Sequence, residues 1–191
     1  MNHLSKQNIL PSLVILDRDG VINEDSDQYI KSVDEWHDIQ GSIQAITDLT
    51  KLNISTAIAT NQSGLARGYF DFITLHEMHS KMLNKVKMLG GMIHYIAYCP
   101  HGPNDNCQCR KPNIGLLEEI SAKLSIPLNK QVFFVGDSYK DIQAANTANI
   151  TPILVKSGKG KKTLQSHPEL EARINIYDNL YDFVQTLKSE V

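Results

Sequence analysis

Two aspartates follow the first apolar run of the chain, and their spacing suits hydrolytic chemistry. The run Leu13–Leu16 ends at Asp17, and Asp19 stands two residues further on. A carboxylate at the end of a strand can attack as a nucleophile. A second carboxyl group beside it can protonate a leaving group and later accept a proton from water. Since an isolated Asp has a pKa near ~3.9, Asp19 can act as a general acid only if its pKa is raised.

A threonine and two cations occupy positions where a phosphate could be held. Thr60 ends a second apolar run, and its hydroxyl and the following backbone N–H groups can hold a phosphate oxygen. Arg110 and Lys111 precede Pro112, a residue that favours the start of a helix. Both cations are therefore expected at a helix N-terminus, where anions are already stabilised.

A further carboxylate pair follows the apolar run at 132–135. Asp137 comes directly after Gly136, and Asp141 lies one helical turn further along. Mg²⁺ prefers carboxylate oxygens and keeps some of its bound waters. Since Asp137 would face another aspartate at a strand end, the motif predicts a Mg²⁺ site.

All three cysteines of the chain lie in one short stretch together with a histidine. Cys99, Cys107 and Cys109 are an odd number of cysteines bunched in one stretch, which does not indicate a disulfide framework, and His101 lies among them. Three thiolates and one imidazole form a closed tetrahedral Zn²⁺ site with no position left for substrate. Such a structural zinc would hold the loop 99–109 in place; the alternative is a set of reduced thiols beside an unrelated histidine.

Strand-like runs alternate with helical periodicity along the whole chain. The pattern predicts strands at 13–16, 55–60, 95–98, 132–135 and 152–155, and helices at 40–52, 71–89, 113–124, 138–149 and 179–188. This alternation is typical of an α/β, three-layer, Rossmann-like parallel sheet with helices on both faces. Ligands of such sheets bind beyond the carboxyl ends of the strands, so Asp17, Thr60 and Asp137 are expected to converge on one crevice.

Three further expectations concern the ends and loops of these elements. Residues 1–12 are polar and predict a short flexible leader before a single domain that takes up the rest of the 191 residues. Asn113 is expected to cap the helix 113–124. The lysines of the loop 157–162 are expected to be solvated rather than to hold a phosphate.

Composition excludes several classes of protein. The chain has 19 Lys and Arg against 21 Asp and Glu, a net charge of −2, which does not suit a strongly basic nucleic-acid binder. No apolar run approaches the ~20 residues of a membrane span, and the N-terminus lacks the apolar core of a secretory signal. We expect a cytoplasmic monomer whose partner is a small molecule rather than a nucleic acid or a membrane.

The order of Asp17, Thr60, Lys111 and Asp137 along the chain resembles that of the haloacid dehalogenase-like phosphatases. The resemblance implies Asp17 as the nucleophile that forms an aspartyl-phosphate intermediate, and Asp19 as general acid and base. It implies that Thr60 and Lys111 stabilise the phosphoryl group. It also implies that catalytic Mg²⁺ is bound by Asp17, the backbone carbonyl of Asp19, and Asp137.

Asp141 is implied either as a further Mg²⁺ ligand or as a residue that orients one. The segments from Asp17 to Thr60 and from Thr60 to Lys111 are each filled by a helix, a strand and a loop. They leave no room for a separate cap domain, because units below ~40 residues rarely fold unaided. A capless crevice with a zinc-stabilised loop is therefore expected.

With its cysteine-rich loop, the chain is similar to one branch of that superfamily, the D-glycero-D-manno-heptose-1,7-bisphosphate 7-phosphatases. The similarity rests on the motifs DRDGVIN, TNQSGLARG, CPH…CQCRKP and VGDSYKDIQAA. It implies removal of the C7 phosphate of a heptose bisphosphate, on the route to the ADP- or GDP-activated heptose of lipopolysaccharide core or surface polysaccharide. Substrate contacts are implied for Arg18, Asp25, Ser26, Asp27, Gln28, Tyr29, Asn61, Gln62, Ser63, Arg67, Arg110 and Ser138.

Two departures from that branch concern the substrate side. The stretch between His101 and Cys107 is short, which alters the loop near the substrate. Ser138 stands where relatives often carry a basic residue, and a serine cannot form that ion pair.

Other functions remain open at this level. A stand-alone histidinol-phosphate phosphatase shares the same machinery and differs around Arg110 and the loop 25–29. A non-catalytic zinc-stabilised binding module would keep the fold without the chemistry, although all the catalytic residue types are present. A phosphotransferase is disfavoured because neither a Walker loop nor a Gly-x-Gly-x-x-Gly motif opens a helix.

Overall fold

Six parallel strands and the helices between them form the frame that positions the candidate residues. The structure is a computed structural model that describes residues 10–190. The strands are β1 (Leu13–Leu16), β2 (Ser55–Asn61), β3 (Tyr95–Cys99), β4 (Val132–Gly136), β5 (Thr151–Val155) and β6 (Asn175–Tyr177). Their order across the sheet is β3-β2-β1-β4-β5-β6, and all five pairings are parallel. The predicted α/β class and its parallel sheet are confirmed.

Helices cover both faces of the sheet, as the strand pattern predicted. They are α1 (Ser42–Lys51), α2 (Phe72–Met88), α3 (Gly115–Leu124), α4 (Tyr139–Thr147), α5 (Gly160–Ser166) and α6 (Leu180–Ser189), with a 3₁₀ helix at Pro168–Ala172. Side chains alternate across β1, so Val14 and Leu16 join one apolar cluster and Leu13 and Ile15 the other. The first cluster contains residues of α1, α2 and α6, whereas the second contains residues of α3 and α4.

Three local predictions about these elements are wrong. Leu10 packs against the core, Pro11 is buried, and Ser12 donates from its N–H to the Gln131 carbonyl, so the leader does not extend to residue 12. Residues 1–9 of that predicted leader lie outside the described residues. The helix α3 begins at Gly115, so Ile114, which has no capping side chain, takes the N-cap position instead of Asn113; the Asn113 amide donates to the Cys107 carbonyl. A helix, α5, begins inside the predicted loop 157–162.

The strand order reverses on either side of β1. The chain after β1 leads by way of α1 to β2 on one side, whereas β4 lies on the other. Such a reversal opens a crevice beyond the carboxyl ends of the two central strands. Asp17 and Asp137 directly follow β1 and β4, so both lie at this crevice. Among the described residues, no helix has the length and apolar character that crossing a bilayer requires.

Candidate active site

The predicted residues line one cavity of about 420 Å³ at the carboxyl edge of the sheet. Asp17, Thr60 and Asp137 are all in its lining, as their positions at strand ends predicted. Most of the other predicted residues share the wall: Arg18, Asp19, Asp25, Ser26, Asp27, Tyr29, Asn61, Gln62, Ser63, Arg110, Lys111 and Ser138. Three predicted residues are not in this lining, namely Gln28, Arg67 and Asp141.

Asp17 is held by a buried lysine that it shares with a second carboxylate. The Lys111 ammonium lies 2.8 Å from Asp17 Oδ2 and 2.7 Å from Asp141 Oδ1. The other oxygen of Asp17 accepts the Arg18 N–H at 2.7 Å. Lys111 and Asp141 are almost fully buried. Because both oxygens of Asp17 are fixed, the carboxylate is oriented before any substrate arrives.

The loop that carries Lys111 is bound directly to β2. Asn61 at the end of β2 donates from its amide to the Lys111 carbonyl at 3.1 Å and accepts the Lys111 N–H at 3.0 Å. This reciprocal pair occupies the Asn61 side chain, so Asn61 positions the lysine. Arg110 and Lys111 do not lie in the first turn of a helix, because α3 begins only at Gly115. The ammonium of Lys111 reaches Asp17 from a loop.

Asp19 is surrounded by donors. The Arg18 guanidinium contacts both of its oxygens, at 2.9 and 3.1 Å from one nitrogen, while the Asn23 and Gln62 amides each donate to it at 2.8 Å. Burial alone would raise the pKa of Asp19, but Arg18 and these hydrogen bonds outweigh it and hold the pKa below its usual range. Asp19 is therefore ionised here, the form that accepts a proton.

Arg18 and Gln62 both donate hydrogen bonds to Asp19 in this structure. The Arg18 side chain is 1% exposed and is held between Asp19, Gln62 and His79. The Gln62 amide donates to Asp19 and also to the Thr60 hydroxyl at 2.9 Å. Both residues line the cavity, but their polar groups are already occupied. A positioning role fits them better than the substrate contact that the sequence predicted.

Three carboxylates form a group that suits a divalent cation. Oxygens of Asp17, Asp137 and Asp141 lie within 4.8 Å of one another. Burial, opposed by Lys111, raises the pKa of Asp17 to about 7. Burial and the charges of Asp141 and Asp17 raise the pKa of Asp137 to about 8. Lys111 alone does not balance the negative charges of the three carboxylates. Carboxylate oxygens grouped at the ends of the strands are suitable ligands for Mg²⁺.

Glycines allow the Asp137 carboxylate to lie close to the backbone of the first motif. Gly20 has φ +81°, and a Cβ added to it would lie 2.1 Å from Asp137 Oδ2. A Cβ on Gly158 would come within 2.2 Å of the same oxygen. No larger residue fits at either position with Asp137 in place. The glycine of the DRDG motif is therefore required by close packing as well as by the turn.

Ser138 and Asp141 close the start of α4. The Ser138 hydroxyl donates to Asp141 Oδ2 at 2.6 Å, and its N–H donates to the same oxygen at 3.0 Å. One carboxylate oxygen of Asp141 thus accepts hydrogen bonds in this turn, and the other is ion-paired with Lys111. This arrangement favours the orienting role for Asp141, which was one of the two roles that the sequence left open.

The cysteine cluster has the dimensions of a tetrahedral zinc site. The sulfur atoms of Cys99, Cys107 and Cys109 lie 3.1 to 3.6 Å apart, and His101 Nδ1 lies 3.2 Å from Cys109 Sγ and 3.6 Å from Cys99 Sγ. Zn–S bonds of ~2.3 Å in a tetrahedron put sulfurs about 3.8 Å apart. The four side chains are present, unpaired by disulfides, and close enough to share one ion.

The structure also brings residues to the cavity that the sequence did not single out. They are Ile30, Phe70, Tyr139, Lys140 and Lys159. The Lys159 side chain is exposed, as predicted, but it is also ion-paired: its ammonium lies 2.8 Å from Asp25 Oδ2, and its N–H donates to Asp137 Oδ2 at 2.6 Å. Its position just after β5 was the available signal, because the strands of a parallel sheet all present their carboxyl ends at the same edge.

Arg67 and Gln28 lie outside the cavity wall. The Arg67 guanidinium stands 5.8 Å from the centre of the Tyr29 ring, which is itself 5.0 Å from the Tyr69 ring. Arg67 therefore supports the loop 25–29 from outside. Gln28 is exposed, and its N–H donates to the Ser26 hydroxyl.

Curated relatives of known name match nearly the whole chain. The D-glycero-β-D-manno-heptose-1,7-bisphosphate 7-phosphatase of Neisseria meningitidis is 46% identical over 179 residues, which cover 93% of this chain and 95% of that protein. The enzyme of the same name from Pseudomonas aeruginosa is 51% identical over 153 residues, or 80% of this chain and 85% of that protein.

Solved structures and a family model agree with these relatives. The D,D-heptose 1,7-bisphosphate phosphatase of B. bronchiseptica, crystallised with magnesium and phosphate, superposes with a TM-score of 0.89 at 44% identity, covering 94% of this chain and 99% of that one. A family model described as HAD-hydrolase-like matches residues 108–183. The chain belongs to the D-glycero-β-D-manno-heptose-1,7-bisphosphate 7-phosphatase family of HAD-like hydrolases.

Proposed function

We propose that this protein hydrolyses the C7 phosphate of D-glycero-D-manno-heptose 1,7-bisphosphate through a phosphoryl-aspartate on Asp17. The observation that carries the proposal is the position of Asp17 at the end of β1, held by Lys111 beside Thr60 and Asp137. Identities of 46–51% to named phosphatases of this substrate support the choice of sugar.

In the first step, an oxygen of Asp17 attacks phosphorus and the bond from phosphorus to the C7 oxygen breaks. Asp19 gives its proton to that leaving oxygen, so the sugar departs as an alcohol. Asp19 is ionised in this structure, and the dianionic phosphate entering beside it raises its pKa by repulsion. Lys111 and Thr60 stabilise the charge that develops on the phosphoryl oxygens.

In the second step, water attacks the phosphorus of the phosphoryl-aspartate and the bond to Asp17 breaks. Asp19 takes the proton from that water, and inorganic phosphate leaves with Asp17 restored as a carboxylate. The donors around Asp19 hold it as the base that this step requires.

Two metal ions fit residues of this chain. Asp17, Asp137 and the backbone carbonyl of Asp19 would hold Mg²⁺, which screens the attacking carboxylate from the anionic phosphate when it is bound. Cys99, His101, Cys107 and Cys109 would hold a structural Zn²⁺ that fixes the loop leading to Arg110 and Lys111. Magnesium and phosphate in the B. bronchiseptica relative support the first assignment.

The remaining assignments follow from the substrate. Arg110 is proposed to contact the second phosphate, with Ser26, Asp27, Tyr29 and Ser63 around the sugar. The product would feed synthesis of ADP- or GDP-heptose for lipopolysaccharide core or surface polysaccharide. We place this reaction in the cytoplasm and in a single, capless domain that acts as a monomer.

Substitution of the nucleophile tests the mechanism. We expect Asp17→Asn to lower kcat for heptose 1,7-bisphosphate by at least ~1000-fold, because an amide cannot form the phosphoryl-aspartate. Asp19→Asn should slow both steps while leaving Asp17 reactive, so mass spectrometry after acid quenching should find the added phosphoryl group on Asp17.

The exposed Asp34, which lies outside the cavity, supplies the control. Asp34→Asn should keep the activity of the unaltered protein. Full turnover in Asp17→Asn would refute the covalent mechanism.

A further inference from the structure

Lys159 lies where the loop after β5 meets the loop after β1. Its backbone is fixed on Asp137, since its N–H donates to Asp137 Oδ2 at 2.6 Å and the Thr163 hydroxyl of α5 donates to the Asp137 carbonyl at 2.8 Å. Ser157 of the same loop donates from its hydroxyl to the Gly20 carbonyl at 2.7 Å. The backbone of Lys159 is therefore held by the sheet edge, independently of its side chain.

The side chain of Lys159 crosses to the loop Asp25–Tyr29. Its ammonium lies 2.8 Å from Asp25 Oδ2 and 3.8 Å from Asp27 Oδ1. Asp25 is 17% exposed, whereas Asp27 is 92% exposed, so the contact with Asp25 is the better shielded of the two. Asp25, Asp27 and Lys159 all line the cavity.

The loop that receives this lysine has little regular structure of its own. It lies between the isolated bridge at Asn23 and the buried Ile30, and its internal hydrogen bonds are short-range, from the N–H groups of Gln28 and Tyr29 to Ser26. Tyr29 has φ +66°, which costs energy in a non-glycine residue. The Tyr69 ring supports the loop from outside, and Lys159 supports it from the cavity side.

We propose that Lys159 is a positioning residue that holds Asp25, and with it the loop Asp25–Tyr29, in the arrangement that receives the sugar of the substrate. This inference rests on the proposed function and adds a residue to it. With Oδ2 of Asp25 bound to the ammonium, Oδ1 is left to accept a sugar hydroxyl. The ammonium also offsets carboxylate charge that would repel an incoming bisphosphate.

Removal of the Lys159 side chain is expected to affect substrate binding and not the chemical steps. Without the ammonium, the loop has to be ordered when substrate binds, and that cost weakens affinity. Asp17, Asp19, Lys111 and Thr60 keep their contacts, since none of them touches the Lys159 side chain. Loss of the side chain should therefore act on KM and leave kcat in place.

The experiment compares two lysines of the same loop with the full-length protein and heptose 1,7-bisphosphate. Lys156 pairs with Asp178 at 2.8 Å and is 41% exposed, close to the 48% of Lys159, but it is not in the cavity lining. We expect Lys159→Ala to raise KM about fivefold with kcat within about twofold, which matches the upper range for a partly exposed ion pair. Lys159→Arg should restore KM, and Lys156→Ala should leave both constants unchanged.

A double-mutant cycle identifies the partner. If Lys159 acts through Asp25, then Lys159→Ala should add little to the KM of Asp25→Ala. An unchanged KM in Lys159→Ala, a fall in kcat alone, or fully additive effects with Asp25→Ala would overturn the inference while leaving the proposed function intact. Failure of the unaltered protein to hydrolyse the bisphosphate would overturn both.

Discussion

At the scale of single residues, the site is a set of buried charged side chains that are paired with one another. Lys111 is divided between Asp17 and Asp141, and Arg18 is given to Asp19. The Asp137 carboxylate accepts one backbone N–H, that of Lys159, but has no cationic side chain within ion-pair distance among the described residues. An uncompensated buried carboxylate is costly, so the arrangement leaves a place for a cation at Asp137.

His79 gives the residue scale a pH-dependent prediction. It is 6% exposed and its ring lies 3.4 Å from the Arg18 guanidinium. Burial, and then Arg18, lower the pKa of His79 to about 3. The unfolded chain takes up this proton near pH ~6.5 and the folded protein does not, so stability is lost as the pH falls from there toward 3.

We therefore expect His79→Gln to lose less stability than the unaltered protein between pH 7.5 and pH 5, by about 2 kcal/mol. Urea unfolding at a series of pH values measures the difference. His76→Gln, an exposed position on the same helix, is the matched control and should follow the unaltered protein. Equal pH dependence in all three proteins would show that His79 is not the group responsible.

At the scale of elements, the loops after the strands do the positioning. The segment between β3 and α3 carries Cys107 and Cys109, which meet Cys99 at the end of β3, and it carries Lys111 further along. Asn61 at the end of β2 binds the backbone of Lys111 from the other side. The buried lysine thus depends on two anchors, and one of them is the cysteine cluster.

Removing one cysteine of the cluster, a ligand of the proposed zinc site, tests that dependence. We expect Cys107→Ser to lower the melting temperature by roughly 5–10 °C, since loss of a structural metal costs a few kcal/mol in a chain of this size. It should also lower kcat, because Lys111 is held less firmly beside Asp17. Thermal unfolding, zinc content and turnover are measured on the same samples.

Asn104→Ala, an exposed position in the same loop that contributes no ligand atom, is the matched control and should leave all three readouts unchanged. If Cys107→Ser bound zinc as before, or lost zinc with no change in melting temperature or kcat, the cluster would not be the anchor described.

At the scale of the whole molecule, much of the architecture could be predicted from the sequence. The five longer strands are apolar runs flanked by helices of clear period, and the predicted bounds differ from the observed ones by a residue or two. Because all parallel strands present their carboxyl ends at one edge, the convergence of Asp17, Thr60 and Asp137 followed from topology alone.

The rest depended on contacts that local patterns do not contain. β6 has three residues and α5 seven, too short for a recognisable period. The pair of Lys159 and Asp25 joins segments far apart in sequence, and so does the Asn61 bond to Lys111. The hydrogen bonds that Arg18 and Gln62 donate to Asp19 likewise cannot be read from the sequence and are known only from the structure.

The identity of the substrate is the central proposal, and one comparison tests it directly. With Mg²⁺ present, kcat/KM for phosphate release is measured side by side for D-glycero-D-manno-heptose 1,7-bisphosphate and histidinol phosphate, and the position of the phosphate left on the sugar is determined. We predict a preference for the bisphosphate of roughly a hundredfold or more, with the C1 phosphate retained in the product. A preference for histidinol phosphate, or release of the C1 phosphate, would contradict the proposal.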